Sequence, residues 1–285
     1  MVSINTNISS LVAQSSLRNS TSKLNNAIEQ MTTGYKINHA KDNAANYSIA
    51  VDMSTKIGAY DVAEDNCAMA LDLVNTANDA YDLIADKLER VIALQNQYQN
   101  GTYGKDSKNA MADEAFAIIQ EILRIKENTK YNGMELFDNQ CLDLDSISSI
   151  TFNFQIGIND SNSSKITIAT SEDYIDFFIN ASPYIGEQMF LGDFYVEDIK
   201  CNYSSILSHV TAKQTELGAV QNRLESALES ISVQRDNLIS SRSTIKDTDV
   251  AEVSSEYIKQ QILQQASATL LATANQSPAI ALQLI

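Results

Sequence analysis

The sequence predicts a mainly α-helical fold: a long antiparallel helical bundle or coiled coil made by pairing the N- and C-terminal segments, with a small central insert that contains a β-hairpin. Three observations predict it. The 285 residues include only 9 Gly and 2 Pro, roughly a third of average usage. The residues that break chains into turns are thus too scarce for a barrel or sandwich, which needs a turn every ~8–12 residues. Both ends of the chain carry apolar residues at helical spacing. The composition also changes over residues 134–200, which hold seven of the eight Phe and one of the two Pro.

At the N-terminal end, Ile4, Ile8 and Leu11 form an i, i+4, i+7 stripe. Leu17, Leu24 and Met31 then recur every seven residues, with Ala13, Ala27 and Ile28 in the adjacent seam. Residues 44–99 contain no Pro and only Gly58, which predicts one uninterrupted helix of roughly 80 Å. The segment NGTYG at 100–104 is a loop. A second helix runs over about 107–129, with Ala115, Ile118, Ile122 and Ile125 as its stripe and Ile119 and Leu123 beside them. An Asn-Gly turn ending at Gly133 closes it. In the centre, ITFNFQIGI and SSKITIAT flank the turn-prone NDSNSS, the pattern of a β-hairpin. A third long helix covers about 204–243. Finally Leu263, Ala266, Leu270 and Ala274 step by three, four and four, with Ile258 and Ile262 alongside, after Asp249 and Glu252 in an N-cap arrangement. Each terminal helix lacks an obvious local partner, so the ends pair with each other or with other copies.

Charge follows the same division. The formal net charge is −16, and 12 acidic against 2 basic residues place −10 of it in residues 134–200. Residues 1–33 contain only Arg18, Lys23 and Glu29 as charges, and residues 250–285 only Glu252, Glu256 and Lys259. Asn, Ser, Thr and Gln replace charge there, so these ends can be buried against a partner without desolvating ions. The acidic balance argues against nucleic acid and against an anionic membrane as partner. No apolar run approaches the ~18–20 residues of a membrane span, and the start of the chain lacks the basic and apolar regions of a cleaved signal peptide.

Chemistry is not indicated. Cys67, Cys141 and Cys201 match no metal-ligand or redox spacing. His39 and His209 flank no ligand cluster and read as ordinary polar residues, and no nucleotide-binding or hydrolase motif is present. Carboxylate pairs such as Glu172/Asp173 and Glu197/Asp198 read as solvated faces. The expectation is a non-enzyme without cofactor, metal or catalytic residue.

Several segments resemble bacterial flagellin: INTNISSL (4–11), TTGYKINHAKDNAANYSIA (32–50), LERVIALQNQYQNGT (88–102), EILRIKENTKYNGMELF (121–137), LGAVQNRLESAL (217–228), and the long run from Ser240 to Ile285 that contains ILQQASATLLATANQ. The resemblance covers roughly residues 1–140 and 204–285. The chain departs from the family pattern at Tyr35, Lys36, His39, Asn46 and Tyr47.

The resemblance implies a subunit that self-assembles into the extracellular flagellar filament used for motility. The alternatives are a hook–filament junction protein and a secreted helical adhesin or immune ligand. It implies an inner coiled-coil domain and spoke from 1–43 plus 244–285, a helical-bundle domain from 44–140 plus 204–243, and an acidic β-rich outer insert at 141–203. The implied subunit interface includes Ile4, Ile8, Leu11, Leu17, Leu24, Met31, Ile258, Ile262, Leu263 and Leu270. Implied partners are further copies in a helical filament, the filament cap, junction proteins and an export chaperone, with export by the flagellar type III route. Arg90, Leu94 and Glu114 match the surface read by the Toll-like flagellin receptor. Cys141 and Cys201 bracket the insert, as a disulfide at its base or as two separate thiols.

Overall fold

A computed structural model of the chain describes residues 7–137, 151–159, 161, 164–169 and 203–283, with side chains through residue 276. Ile4, Cys141, Cys201 and most of the 141–203 insert lie outside the described residues. The chain divides into two compact units, one of residues 1–58 with 235–285 and one of residues 59–234. The elements in order are α1 (Ile8–Thr33), α2 (Ala44–Gln99), α3 (Lys105–Asn128), β1 (Lys130–Tyr131), β2 (Met134–Glu135), β3 (Thr151–Gln155), β4 (Lys165–Ala169), α4 (Tyr203–Lys246) and α5 (Val250–Gln283). The mainly helical class with a small β-containing insert is therefore observed.

Three of the helices begin where the sequence supplies a side-chain cap. Asn7 accepts from Ser10 N–H at the start of α1, Asn43 from Asn46 N–H before α2, and Asp249 from Ala251 N–H before α5. Each satisfies a backbone donor that the first helical turn leaves open. α1 ends at Gly34, whose φ of 73° is left-handed; its N–H reaches Gln30 O at 2.9 Å. A residue with a Cβ adopts that conformation only at a cost.

In the unit of residues 59–234, α2 contributes Ala63, Cys67, Ala70, Val74, Ala77, Tyr81, Ile84, Leu88 and Val91 to one buried core. Their spacing alternates between four and three, the knobs of a coiled-coil seam. α4 answers with Tyr203, Ile206, Val210, Leu217, Val220, Leu224 and Ile231. The two run antiparallel, as the Tyr60 hydroxyl donating to Gln234 Oε1 at 2.6 Å and Gln214 donating to Asp82 show. α3 closes the core with Ile119 and Ile122, while Ile118, Leu123 and Ile125 pack partly buried against it. Leu136 and Phe137 cap this end, with Phe137 edge-on to Tyr81 at 5.1 Å between ring centroids.

β1 and β2 pair antiparallel around Asn132 and Gly133, both at positive φ, the turn anticipated from the Asn-Gly pair. β3 and β4 form the central hairpin, pairing Thr151 with Ala169 through Gln155 with Lys165. Ile166 and Ile168 turn into the core beside Phe152 and Phe154. Asn66 of α2 donates to Gln155 O at 2.9 Å and ties the hairpin down.

Candidate assembly interface

The unit of residues 1–58 and 235–285 is organised around the pairing of α1 with α5, the two ends of the chain. Asn7 Nδ2 donates to Ala274 O at 2.7 Å, Ser10 Oγ to Asn275 Oδ1 at 2.8 Å, and Gln264 Nε2 to Thr21 Oγ1 at 3.1 Å. Residues 7 and 10 reach 274 and 275 while residue 21 reaches 264, so the helices are antiparallel. The buried seam on α1 is Ala13, Ser20 and Ala27, and on α5 it is Val253, Gln260 and Ser267. Both series repeat every seven residues, and five of the six side chains are small or polar. Small side chains let the two backbones approach closely, and the few polar ones fix a register at some cost in stability. Gln260, buried here, donates to Glu256 Oε1 at 2.6 Å. That bond, with Lys259 second, holds the Glu256 carboxyl below its ordinary value.

This seam differs from the one the apolar spacing suggested. Leu17 and Leu24 are half-buried beside it and Met31 is exposed. On α5 the stripe of Leu263 and Leu270, with Ile258 and Ile262, is not the face that meets α1; all four are exposed, as are Ile8 and Leu11 on α1. Exposure of these seven large residues runs from 40% at Met31 to 67% at Ile8. The reason is geometric. One partner helix covers only a narrow strip of another, and the close-packed strip is taken by Ala, Ser and Gln. The large apolar side chains therefore stand on faces left exposed among the described residues. Single exposed hydrophobes are ordinary, whereas large contiguous apolar patches are the usual mark of an interaction surface.

The connectors at the end of this helix pair are joined. Between α1 and α2, Gly34 O accepts from Thr248 N–H at 3.0 Å, and Lys36 N–H donates to Lys246 O at 2.7 Å. These bonds make Tyr35 and Asp247 an isolated antiparallel bridge. The Asp42 carboxylate accepts the backbone N–H groups of His39 and Asn38 at 2.9 and 3.1 Å. The His39 bond is the main cause of its lowered pKa. His39 Nε2 itself lies 2.8 Å from Glu29 Oε1. Local spacing gave no signal for the Tyr35–Asp247 bridge, because its two strands are far apart in the chain.

In the other unit, Arg90 of α2 grips Glu114 of α3 through Nε at 3.0 Å and Nη2 at 2.6 Å, on the exposed surface. Leu94 does not stand exposed between them: it is 1% exposed and belongs to the core. The three positions thus supply a charged pair over a buried leucine. Among the described residues no group of His, Cys, Asp and Glu is placed to hold a metal ion, and no helix is long and apolar enough to cross a membrane.

Comparison with known proteins places this architecture. Residues 4–141 match the bacterial flagellin N-terminal helical region, and residues 203–285 match the bacterial flagellin C-terminal helical region. The chain belongs to the bacterial flagellin family. Flagellin of Halalkalibacterium halodurans is 30% identical over 293 residues, covering 99% of both chains. Flagellin of Bacillus subtilis is 30% identical over 302 residues, again covering 99% of each. The flagellar filament 30.7 kDa core protein of Treponema maltophilum is 28% identical over 282 residues, covering 95% of each. The matched N- and C-terminal regions contain the paired helices α1 and α5, so the apolar rows described above lie in the parts of the chain that define the family.

Proposed function

We propose that this chain is the structural subunit of the flagellar filament and acts by self-assembly, its α1 and α5 rows being buried by neighbouring copies. The observation that carries the reading is the exposure of Ile8, Leu11, Met31, Ile258, Ile262, Leu263 and Leu270 on a nearly uncharged helix pair. A contact made by different faces of successive copies does not close on itself and continues as a filament. Burying such rows removes apolar area from water without desolvating ions. Leu17 and Leu24, half-buried in the chain, and Ile4 belong to the same proposed interface. The filament lies outside the cell, and motility is the work it supports.

Within the filament we assign residues 1–43 with 244–285 to the inner domain and spoke, 44–140 with 204–243 to the helical bundle, and 141–203 to the outer face. The filament cap, junction proteins and an export chaperone are the further partners this reading entails, with delivery by the flagellar type III route. Recognition by the Toll-like flagellin receptor would use the Arg90–Glu114 pair, with Leu94 supporting it from below. Arg90→Ala should then lower activation of receptor-reporter cells while filaments still elongate; unchanged activation would remove that role.

Seeding tests the assembly reading. Purified chain is added to sheared filament fragments and elongation is followed by light scattering and electron microscopy. Growth from fragment ends is expected, and failure to elongate at high concentration with intact termini would contradict it.

A further inference from the structure

We propose that Tyr35 and Lys246 close a clasp across the two connectors, so that the α1–α2 and α4–α5 crossings open and close together. The bridge between them is one residue pair wide: Lys36 N–H to Lys246 O at 2.7 Å and Thr248 N–H to Gly34 O at 3.0 Å. Two backbone bonds at an exposed site open readily unless something covers them. Here the Lys246 ammonium lies 4.2 Å from the centroid of the Tyr35 ring. Lys246 makes no ion pair among the described residues, so the ring is its partner. A cation over an aromatic face is held by the ring quadrupole.

Each strand of the bridge is also anchored to a helix. Gln30 Nε2 of α1 donates to Lys36 O at 3.1 Å, and Ser243 Oγ of α4 donates to Asp247 Oδ2 at 2.6 Å, while Asp247 N–H reaches Ser243 O at 2.9 Å. The ends of α1 and α4 are thereby tied to the same bridge. Neither crossing can swing away without breaking both backbone bonds and the cation–π contact. The terminal helix pair then keeps or loses its orientation to the start of α2 and the end of α4 in a single step.

Hydrogen exchange read by mass spectrometry tests this on the full-length chain, in solution and after seeded elongation. The expected result is equal protection of the segments containing Lys36 and Thr248. Tyr35→Leu and Lys246→Ala should each speed exchange of both segments by the same factor, about 2–5-fold. The double variant should go no further than either single one. Tyr35→Phe, which keeps the ring, should behave as the parent. Protection of one segment without the other overturns the clasp, as does its absence from both in both states. So does a Tyr35→Leu effect confined to its own segment, or full additivity of the two variants. Failure to elongate counts against the filament reading alone, and the solution arm still decides the clasp.

Discussion

Leu270→Ala separates an interface side chain from a core one. Leu270 stands on α5 and is 62% exposed in the isolated chain. Truncation removes about three carbon groups, each worth ~0.8 kcal/mol when fully buried. Only the part that assembly covers counts, so the 62% exposed fraction sets the loss at roughly 1.5 kcal/mol per subunit added. That corresponds to about a tenfold rise in the concentration needed for elongation. The chain's own fold should scarcely notice, because Leu270 lies off the Ala13–Ser20–Ala27 and Val253–Gln260–Ser267 seam. The assay is the critical concentration for seeded elongation, measured alongside thermal unfolding of the unassembled variant. A critical concentration within about twofold of the parent would refute the reasoning, since a change of that size is below ~0.5 kcal/mol.

Other consequences follow from the core and the surface. Leu73→Ala, at a site with no exposed surface, should destabilise the folded chain by about 2–5 kcal/mol in denaturant titration, through lost burial and the cavity left behind. Cys67 is fully buried and burial pushes its thiol up from the ordinary value. It should resist alkylation at neutral pH in the native chain and react promptly in denaturant; equal rates would place it at the surface. Acid should weaken the fold modestly through exposed carboxyls held low in it: Asp42 by the His39 N–H, Glu121 by Arg124, Glu135 by Lys130 and Glu256 by Gln260. A carboxyl depressed in the folded state contributes stability above its unfolded value and loses it as pH falls through the folded one. The melting temperature should therefore decline as pH drops below the ordinary glutamate value of 4.5. Replacing Glu121 by Gln should flatten part of that decline.

The elements were legible because they rest on local rules. Residues 44–99 lack proline and hold a single glycine, and the structure makes them one helix, α2, with Asn43 as its cap. The second and third helices, read as about 107–129 and 204–243, run over Lys105–Asn128 and Tyr203–Lys246. The alternation in TFNFQ and KITIA placed β3 and β4 for the same reason. What periodicity leaves open is which partner covers an apolar face. Leu263 and Leu270 repeat as a core residue does, yet they are 42% and 62% exposed, while the buried positions on α5 include Gln260 and Ser267.

The surface at Arg90 shows the same gap in another form. Motif matching brought Arg90, Leu94 and Glu114 together, and the structure does pair the two charges. Leu94 goes to the core because it lies three residues after buried Val91, on the side of α2 that faces inward. The contact between Tyr35 and Lys246 spans two distant segments and has no local signature.

The most direct measurement is an electron cryomicroscopy map of the assembled filament at side-chain detail. The account predicts that Ile8, Leu11, Ile258, Ile262, Leu263 and Leu270 pack against neighbouring copies, with α1 and α5 of each subunit still paired along the Ala/Ser/Gln seam. Filaments in which these side chains face solvent, while contacts between copies form elsewhere, would contradict it.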